Sequence, residues 1–167
     1  MASMSTRKTH AFKQEDTWNT PQHVWEDIAH LIPKNKIIWE AFMRGNWGST
    51  SIKTLQGLGL SVVGNPTIDF FSRENFDYDM IISNPPYSCK LKIFKKLAII
   101  DKPFILLLPI STITKKFVRV LDRKSLQLII PKARIHFIKD GEQSKRSWFD
   151  VAYLCYKMQL PDDITFL

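Results

Sequence analysis

Four consecutive residues, Asn84-Pro85-Pro86-Tyr87, carry the clearest chemical potential in this chain. They directly follow the run Asp79-Met80-Ile81-Ile82-Ser83, which reads as a buried strand. The prolines lack the N–H that would continue a ladder and hold φ fixed, so the strand stops there and the loop is stiff. In open α/β sheets ligands bind at the carboxyl ends of the strands, which makes this a binding edge. One amide, one exposed backbone carbonyl and one aromatic ring suit a planar substrate bearing an exocyclic NH2. The carbonyl oxygens accept from the NH2 and the ring stacks on the plane. The bland alternative is a Pro-Pro turn that closes a buried strand.

The elements that hold this loop alternate between helical and strand patterns, the mark of an α/β fold. Thr20-Pro21 reads as a helix start, Thr as N-cap and Pro at the first helical position. Val24, Trp25, Ile28, Leu31 and Ile32 follow at helical spacing until Pro33. Ile37 to Phe42 is the first predicted strand, Ser49 to Leu58 a helix with Ile52, Leu55 and Leu58 inward, and Leu60 to Val63 the second strand. Ile68 to Phe71 is a short third element and Asp79 to Ser83 the fourth strand. Ser88 is expected to cap a helix to about Ile99, with Leu91, Phe94, Leu97 and Ala98 inward. The continuous apolar run Phe104 to Ile110 reads as a central buried strand. Ser111 to Leu121 is expected to be helical, Leu126 to Ile130 and Arg134 to Ile138 strands, Gly141 to Trp148 a basic loop, and Val151 to Met158 the last strand.

The tetrapeptide resembles the catalytic motif of S-adenosylmethionine-dependent amino-group methyltransferases. The resemblance extends from about Trp18 to Met158 and is nearest to the small stand-alone N6-adenine methyltransferase-like proteins of large DNA viruses and phages. It implies a Rossmann-like class I methyltransferase fold: a seven-stranded, mostly parallel sheet with one antiparallel strand and helices on both faces. It implies S-adenosyl-L-methionine as cofactor and methyl transfer to an exocyclic amino nitrogen, adenine N6 in DNA or RNA. Trp18-Asn19-Thr20-Pro21 matches a Thr-Pro segment that lies against the methionine end of the cofactor. Glu40, Phe42 and Gly45 fall where the family has Glu-Pro-Phe or Asp-Pro-Phe before a Gly-rich turn, with Ala41 in place of the proline. Near the end of the second strand, where the family offers an acid to the ribose, this chain has Asn65. Asp69 would accept from the cofactor's adenine amino group and Phe70 pack on its ring. Asn84 and the Pro85 carbonyl would accept from the target NH2, Pro86 completes the stiff loop, and Tyr87 would stack on the base. Trp148 and Phe149 resemble the segment that closes the target pocket, with Arg134, Lys145 and Arg146 expected on phosphates. Two alternatives stay open. Protein glutamine N5-methyltransferases carry the same tetrapeptide. The altered cofactor loop and Asn65 also fit a catalytically degenerate subunit that binds nucleic acid or a partner.

Composition bounds the rest. At 167 residues and 44% hydrophobic content the chain suits one globular domain. Residues 1–16, polar and basic, are expected to be a flexible arm ahead of a single domain over 17–167. No apolar run approaches the ~18 residues of a membrane span. Cys89 and Cys155 lack any CxxC spacing, which argues against zinc and for a reducing compartment inside the cell, whether cytoplasm, nucleus or a virus-infected cell. The net charge of +8 is uneven: Cys89 to Arg146 holds 15 Lys and Arg against 4 acids, +11, and the remainder balances at −3. A basic half beside the motif points to nucleic acid as partner. A homodimer or a partner subunit is left open.

Overall fold

The computed structural model describes residues 18–43, 48–72, 77–139, 141–144 and 150–167. Its strands are β1 (Ile37–Trp39), β2 (Ser61–Val63), β3 (Met80–Ser83), β4 (Phe104–Pro109), β5 (Leu126–Ile130), β6 (Ile138–Lys139), β7 (Glu142–Gln143), β8 (Val151–Tyr156) and β9 (Ile164–Phe166). Its α-helices are α1 (Gln22–Ile28), α2 (Gly48–Gly57) and α3 (Lys90–Ile100). Seven strands form one sheet in the order β2-β1-β3-β4-β8-β5-β9, and β6 and β7 form a separate hairpin. All pairings in the large sheet are parallel except those of β8, which runs antiparallel between β4 and β5. The expected Rossmann-like α/β architecture, with one antiparallel strand, is the architecture found.

Alternation along the strands builds two cores, one on each face. Ile38, Met80, Ile82, Ile105, Leu107 and Tyr153 pack with Val24, Trp25 and Ile28 of α1 and Leu55 of α2. Trp39, Ile81, Phe104, Leu106, Leu108 and Leu154 pack with Ile93, Phe94 and Leu97 of α3 and with Val118 and Leu121. All six residues of β4 are buried, as its unbroken apolar run requires of a strand covered on both faces. Polar contacts tie the first layer together: Trp25 Nε1 donates to Ser51 Oγ at 3.1 Å, and Tyr153 Oη donates to the Val24 carbonyl at 2.6 Å.

Several local expectations are corrected. The first helix opens at Gln22, with Pro21 as N-cap and no side-chain cap, because the Thr20 hydroxyl is engaged elsewhere. The first strand ends at Trp39, since the Glu40 carboxylate accepts from the Phe42 N–H and turns the chain. Residues 68–71 are no strand: Asp69 caps a turn, its side chain accepting from Phe71 N at 3.0 Å and its carbonyl from Ser72 N at 2.9 Å. The seventh strand is instead β9, paired parallel to β5 at the far edge. The N-cap of α3 is Cys89 and not Ser88, and a short 3-10 turn, Tyr87–Cys89, leads into the helix. The inward stripe of α3 is Ile93, Phe94 and Leu97, and Leu91 is exposed. Residues 110–120 form two 3-10 turns, Ile110–Thr114 and Lys116–Val120, where one helix was expected. Of residues 134–138 only Ile138 is strand, in the β6–β7 hairpin.

Candidate active site

Because β1 to β4 run parallel, Glu40, Gly64, Asn84 and Ile110 all follow carboxyl ends on one edge of the sheet. The chain leaves β1 to one side for β2 and returns to the other for β3, so the crevice between β1 and β3 is the switch point where such sheets bind ligands. Antiparallel β8 begins at the same edge: Val151 lies opposite Pro109, and Ile110 N donates to the Asp150 carbonyl at 2.9 Å.

Two side chains span the crevice. Glu40, only 4% exposed, accepts on Oε1 from the Ser83 hydroxyl and from Phe42 N at 3.3 Å. Burial pushes its carboxyl up to about 7, and the hydrogen bonds from Ser83 and Phe42 oppose that rise only in part. Ser83 is wholly buried at the end of β3 and immediately precedes Asn84, so the acid and the amide are joined through one residue. Asn84 donates its Nδ2–H to Thr20 Oγ1 at 3.1 Å. That bond leaves the Oδ1 acceptor buried and without a hydrogen-bond partner among the described residues. Pro85 and Pro86 are buried behind it, and Tyr87 is half-buried with the Lys90 ammonium 5.4 Å from its ring centre.

The segment that carries Thr20 is held from its other side. Asn19 and Ile138 exchange two backbone hydrogen bonds, 2.7 and 2.9 Å, so the β6–β7 hairpin is strapped to the Asn84 loop. Trp18 sits under the Lys139 ammonium at 5.3 Å. At the end of β2 there is no room for a side chain: a Cβ on Gly64 would lie 2.6 Å from Met43 Sδ and 2.7 Å from Ile52 Cδ1. Asn65 is exposed, and its Oδ1 accepts from Thr67 N at 2.9 Å and Thr67 Oγ1 at 2.7 Å, a local turn that occupies the oxygen. Asp69 is exposed beside it. Phe70 is buried against Phe42 at 4.5 Å and Trp39 at 5.6 Å between ring centres. Lys96 fixes this stretch by donating to the carbonyls of Phe70 and Ser72.

Trp18, Thr20, Glu40, Phe42, Phe70, Asn84 and Tyr87 thus lie on connected elements at one edge. Asn65 and Asp69 are on the adjoining loop after β2, each committed to its own turn. Arg134 follows β5 to the same edge, where its Nε donates to Asp150 Oδ1 at 2.8 Å. Gly45, Lys145, Arg146, Trp148 and Phe149 lie outside the described residues. Sequence reasoning missed Ser83, Asn19, Gly64 and Lys96. A lone serine closing an apolar strand was the one signal for Ser83; partners as remote as Ile138 and Phe70 left none for the others. Burial pushes the Cys155 thiol up to about 12, which makes it an inert core residue.

Sheet order, the single antiparallel strand and the crevice define the chain as a Rossmann-like fold of the class I methyltransferase kind. Searches of protein-family models and of curated protein sequences give no match. Among solved structures, the chain is similar to a Listeria monocytogenes protein described as a class I S-adenosylmethionine-dependent methyltransferase. The TM-score is 0.52 at 13% identity, over 94% of this chain and 67% of that one. It also aligns with a precorrin-6y C5,15-methyltransferase of Geobacter metallireducens, with a TM-score of 0.47 at 12% identity, over 86% of this chain and 91% of that one. No helix among the described residues is long and apolar enough to cross a membrane.

Proposed function

We propose that this chain is an S-adenosylmethionine-dependent methyltransferase acting on an exocyclic amino nitrogen, adenine N6 in nucleic acid. The observation that carries the reading is the Asn84 amide, held by Thr20 with its buried oxygen unpartnered among the described residues. A buried acceptor with no partner costs roughly 1–3 kcal/mol, a penalty that an NH2 donor arriving at the edge would relieve. The residues present fit the cofactor in part. Glu40 supplies a buried carboxylate for its ammonium group, and Phe42, half-buried and backed by Phe70, supplies a ring surface. The ribose would meet a neutral Asn65 whose oxygen is already engaged.

When bound, S-adenosylmethionine supplies an electrophilic sulfonium methyl group. The adenine amino nitrogen is a poor nucleophile, because its lone pair is delocalised into the ring. Asn84 Oδ1 and the Pro85 carbonyl accept its two N–H bonds, which favours a more tetrahedral nitrogen with its lone pair directed at the methyl. Positioning and charge complementarity activate the nitrogen without a strong base, and its surplus proton passes to water once the methyl group has moved. Tyr87 stacks on the base, offsetting by about 1–3 kcal/mol the cost of extruding it from a duplex.

The test is a methyl-transfer assay on DNA, RNA and a glutamine-containing peptide, with calorimetry of S-adenosylmethionine binding in parallel. N6-methyladenine in either nucleic acid supports the reading. Methylation of the peptide alone moves the chain to the glutamine class. The occupied Asn65 oxygen favours a second reading, a degenerate fold that binds without catalysis; absence of cofactor binding would decide for it.

A further inference from the structure

The fold divides the cations of the basic half into two groups. The first is engaged within the molecule: Lys96 on the Phe70 and Ser72 carbonyls, Lys102 on the Tyr78 carbonyl at 2.6 Å, and Arg134 on Asp150. The second includes Lys92, Lys95, Lys115, Lys116, Arg119 and Lys124, all exposed, and none of them pairs with a carboxylate among the described residues. These six lie on α3 and the turns that follow β4, which pack together through Phe94 and Phe117 at 5.2 Å between ring centres. Residues 90–125 hold ten Lys and Arg against two acids, a balance of +8 that equals the charge of the whole chain. Both acids are already counted in that balance, and the Asp122 carboxylate stands beside Lys124. Asp101 is held by Lys157 and Tyr156, and Asp122 accepts from Lys124 N and Ser125 Oγ as the cap of a turn.

This face begins at the reactive edge. Helix α3 leaves directly from the Tyr87–Cys89 turn, and residues 110–116 leave from the carboxyl end of β4, the neighbour of β3. Lys92 and Lys95 stand about 4.5 Å apart along the helix axis, close enough to meet neighbouring phosphates. The large apolar side chains exposed among these cations are aliphatic, Leu91, Ile99, Ile110, Ile113 and Val120. Binding of single strands relies on exposed aromatic stacking platforms, and among the described residues the rings at this face, Tyr87 and Phe117, are both half-buried. A surface of cations without a row of exposed rings reads backbone charge, which a duplex presents with its bases enclosed.

We propose that the outer face of α3 and residues 115–124 form the docking surface for the phosphate backbone of a nucleic-acid duplex, laid against the Asn-Pro-Pro-Tyr loop. The proposal rests on the nucleic-acid reading above and moves the main phosphate contacts away from Arg134.

The experiment is anisotropy of the full chain with a labelled DNA duplex across a range of salt, repeated with single-stranded DNA and with phosphatidylserine vesicles. The variants are Lys92→Ala with Lys95→Ala, Lys116→Ala with Arg119→Ala, and Arg134→Ala. Each pair should lower the log–log salt slope by about 1.8, at ~0.9 per lost phosphate contact, and weaken low-salt binding at least about tenfold, with Arg134→Ala near the parent. S-adenosylmethionine affinity should be unchanged in both pairs. Unaltered slopes in both pairs, no duplex binding by the parent, or equal or tighter binding to single strands or vesicles would each overturn the surface. Duplex binding through these residues without methyl transfer would sink the methyltransferase reading and leave this one standing.

Discussion

At Glu40 burial and ionisation pull in opposite directions. Its folded pKa of about 7 lies above the ordinary 4.5, so the folded state holds the proton more tightly than the unfolded chain does. The sign follows: the contribution of Glu40 to stability is fullest below pH 4.5 and is lost as pH rises through 7, by on the order of 3 kcal/mol. Glu40→Gln should therefore raise the melting temperature at pH 8 and change it little at pH 4.5, as thermal melts at the two values would record. A cationic ligand should bind the ionised carboxylate best. S-adenosylmethionine affinity is expected to rise between pH 6 and 8 in the parent and to stay flat in Glu40→Gln, measured by calorimetry. Asn84→Ala removes the acceptor held by Thr20 and should cut single-turnover methyl transfer on the order of a hundredfold, with the fold intact by circular dichroism. Retention of full turnover would end the mechanism.

The elements matter through the contacts they force on each other at the edge. β2 ends in a glycine because Met43 and Ile52 fill the space a side chain would need, with the Glu40 carbonyl 3.1 Å away. Gly64→Ala should cost about 1–3 kcal/mol in chemical denaturation, as overpacking does, and weaken cofactor binding by moving Glu40. A change below about 0.3 kcal/mol would mean that Met43 swings aside freely. The strap from Asn19 to Ile138 makes a different demand. Thr20→Val keeps the volume and loses the Asn84 bond, so turnover should fall while the Asn19–Ile138 amides stay protected in hydrogen exchange. Loss of that protection would show that Thr20 supports the strap and not the amide.

For the whole molecule, β4 joins the two cores. Leu106 faces the α3 layer and Leu107 the α1–α2 layer, both fully buried. Leu106→Ala and Leu107→Ala should each cost about 2–5 kcal/mol. Each should shift one cooperative transition, seen alike by near- and far-ultraviolet circular dichroism, because neither layer keeps a complete core without the other. Separate transitions by the two probes would show that the layers unfold independently.

The sequence alone determined the α/β class, the buried run of β4 and the placement of the Asn-Pro-Pro-Tyr loop at a strand end. Each rests on local physics: apolar periodicity, and prolines that cannot pair in a ladder. The same local reasoning took Thr20 for a helix cap, because a cap is the nearest use for such a hydroxyl. Tertiary structure gave that hydroxyl to Asn84, 64 residues along. It also buried Ser83 against Glu40, turned residues 68–71 out of the sheet, and filled the seventh strand with Ile164–Phe166. The lysines divided in the same way. Lys96 and Lys102 were taken up by backbone carbonyls 24 to 26 residues earlier, and Lys92 and Lys95 were left facing outward. Periodicity reports which face of an element is buried; which polar group meets which is set only when distant strands bring their ends to one edge.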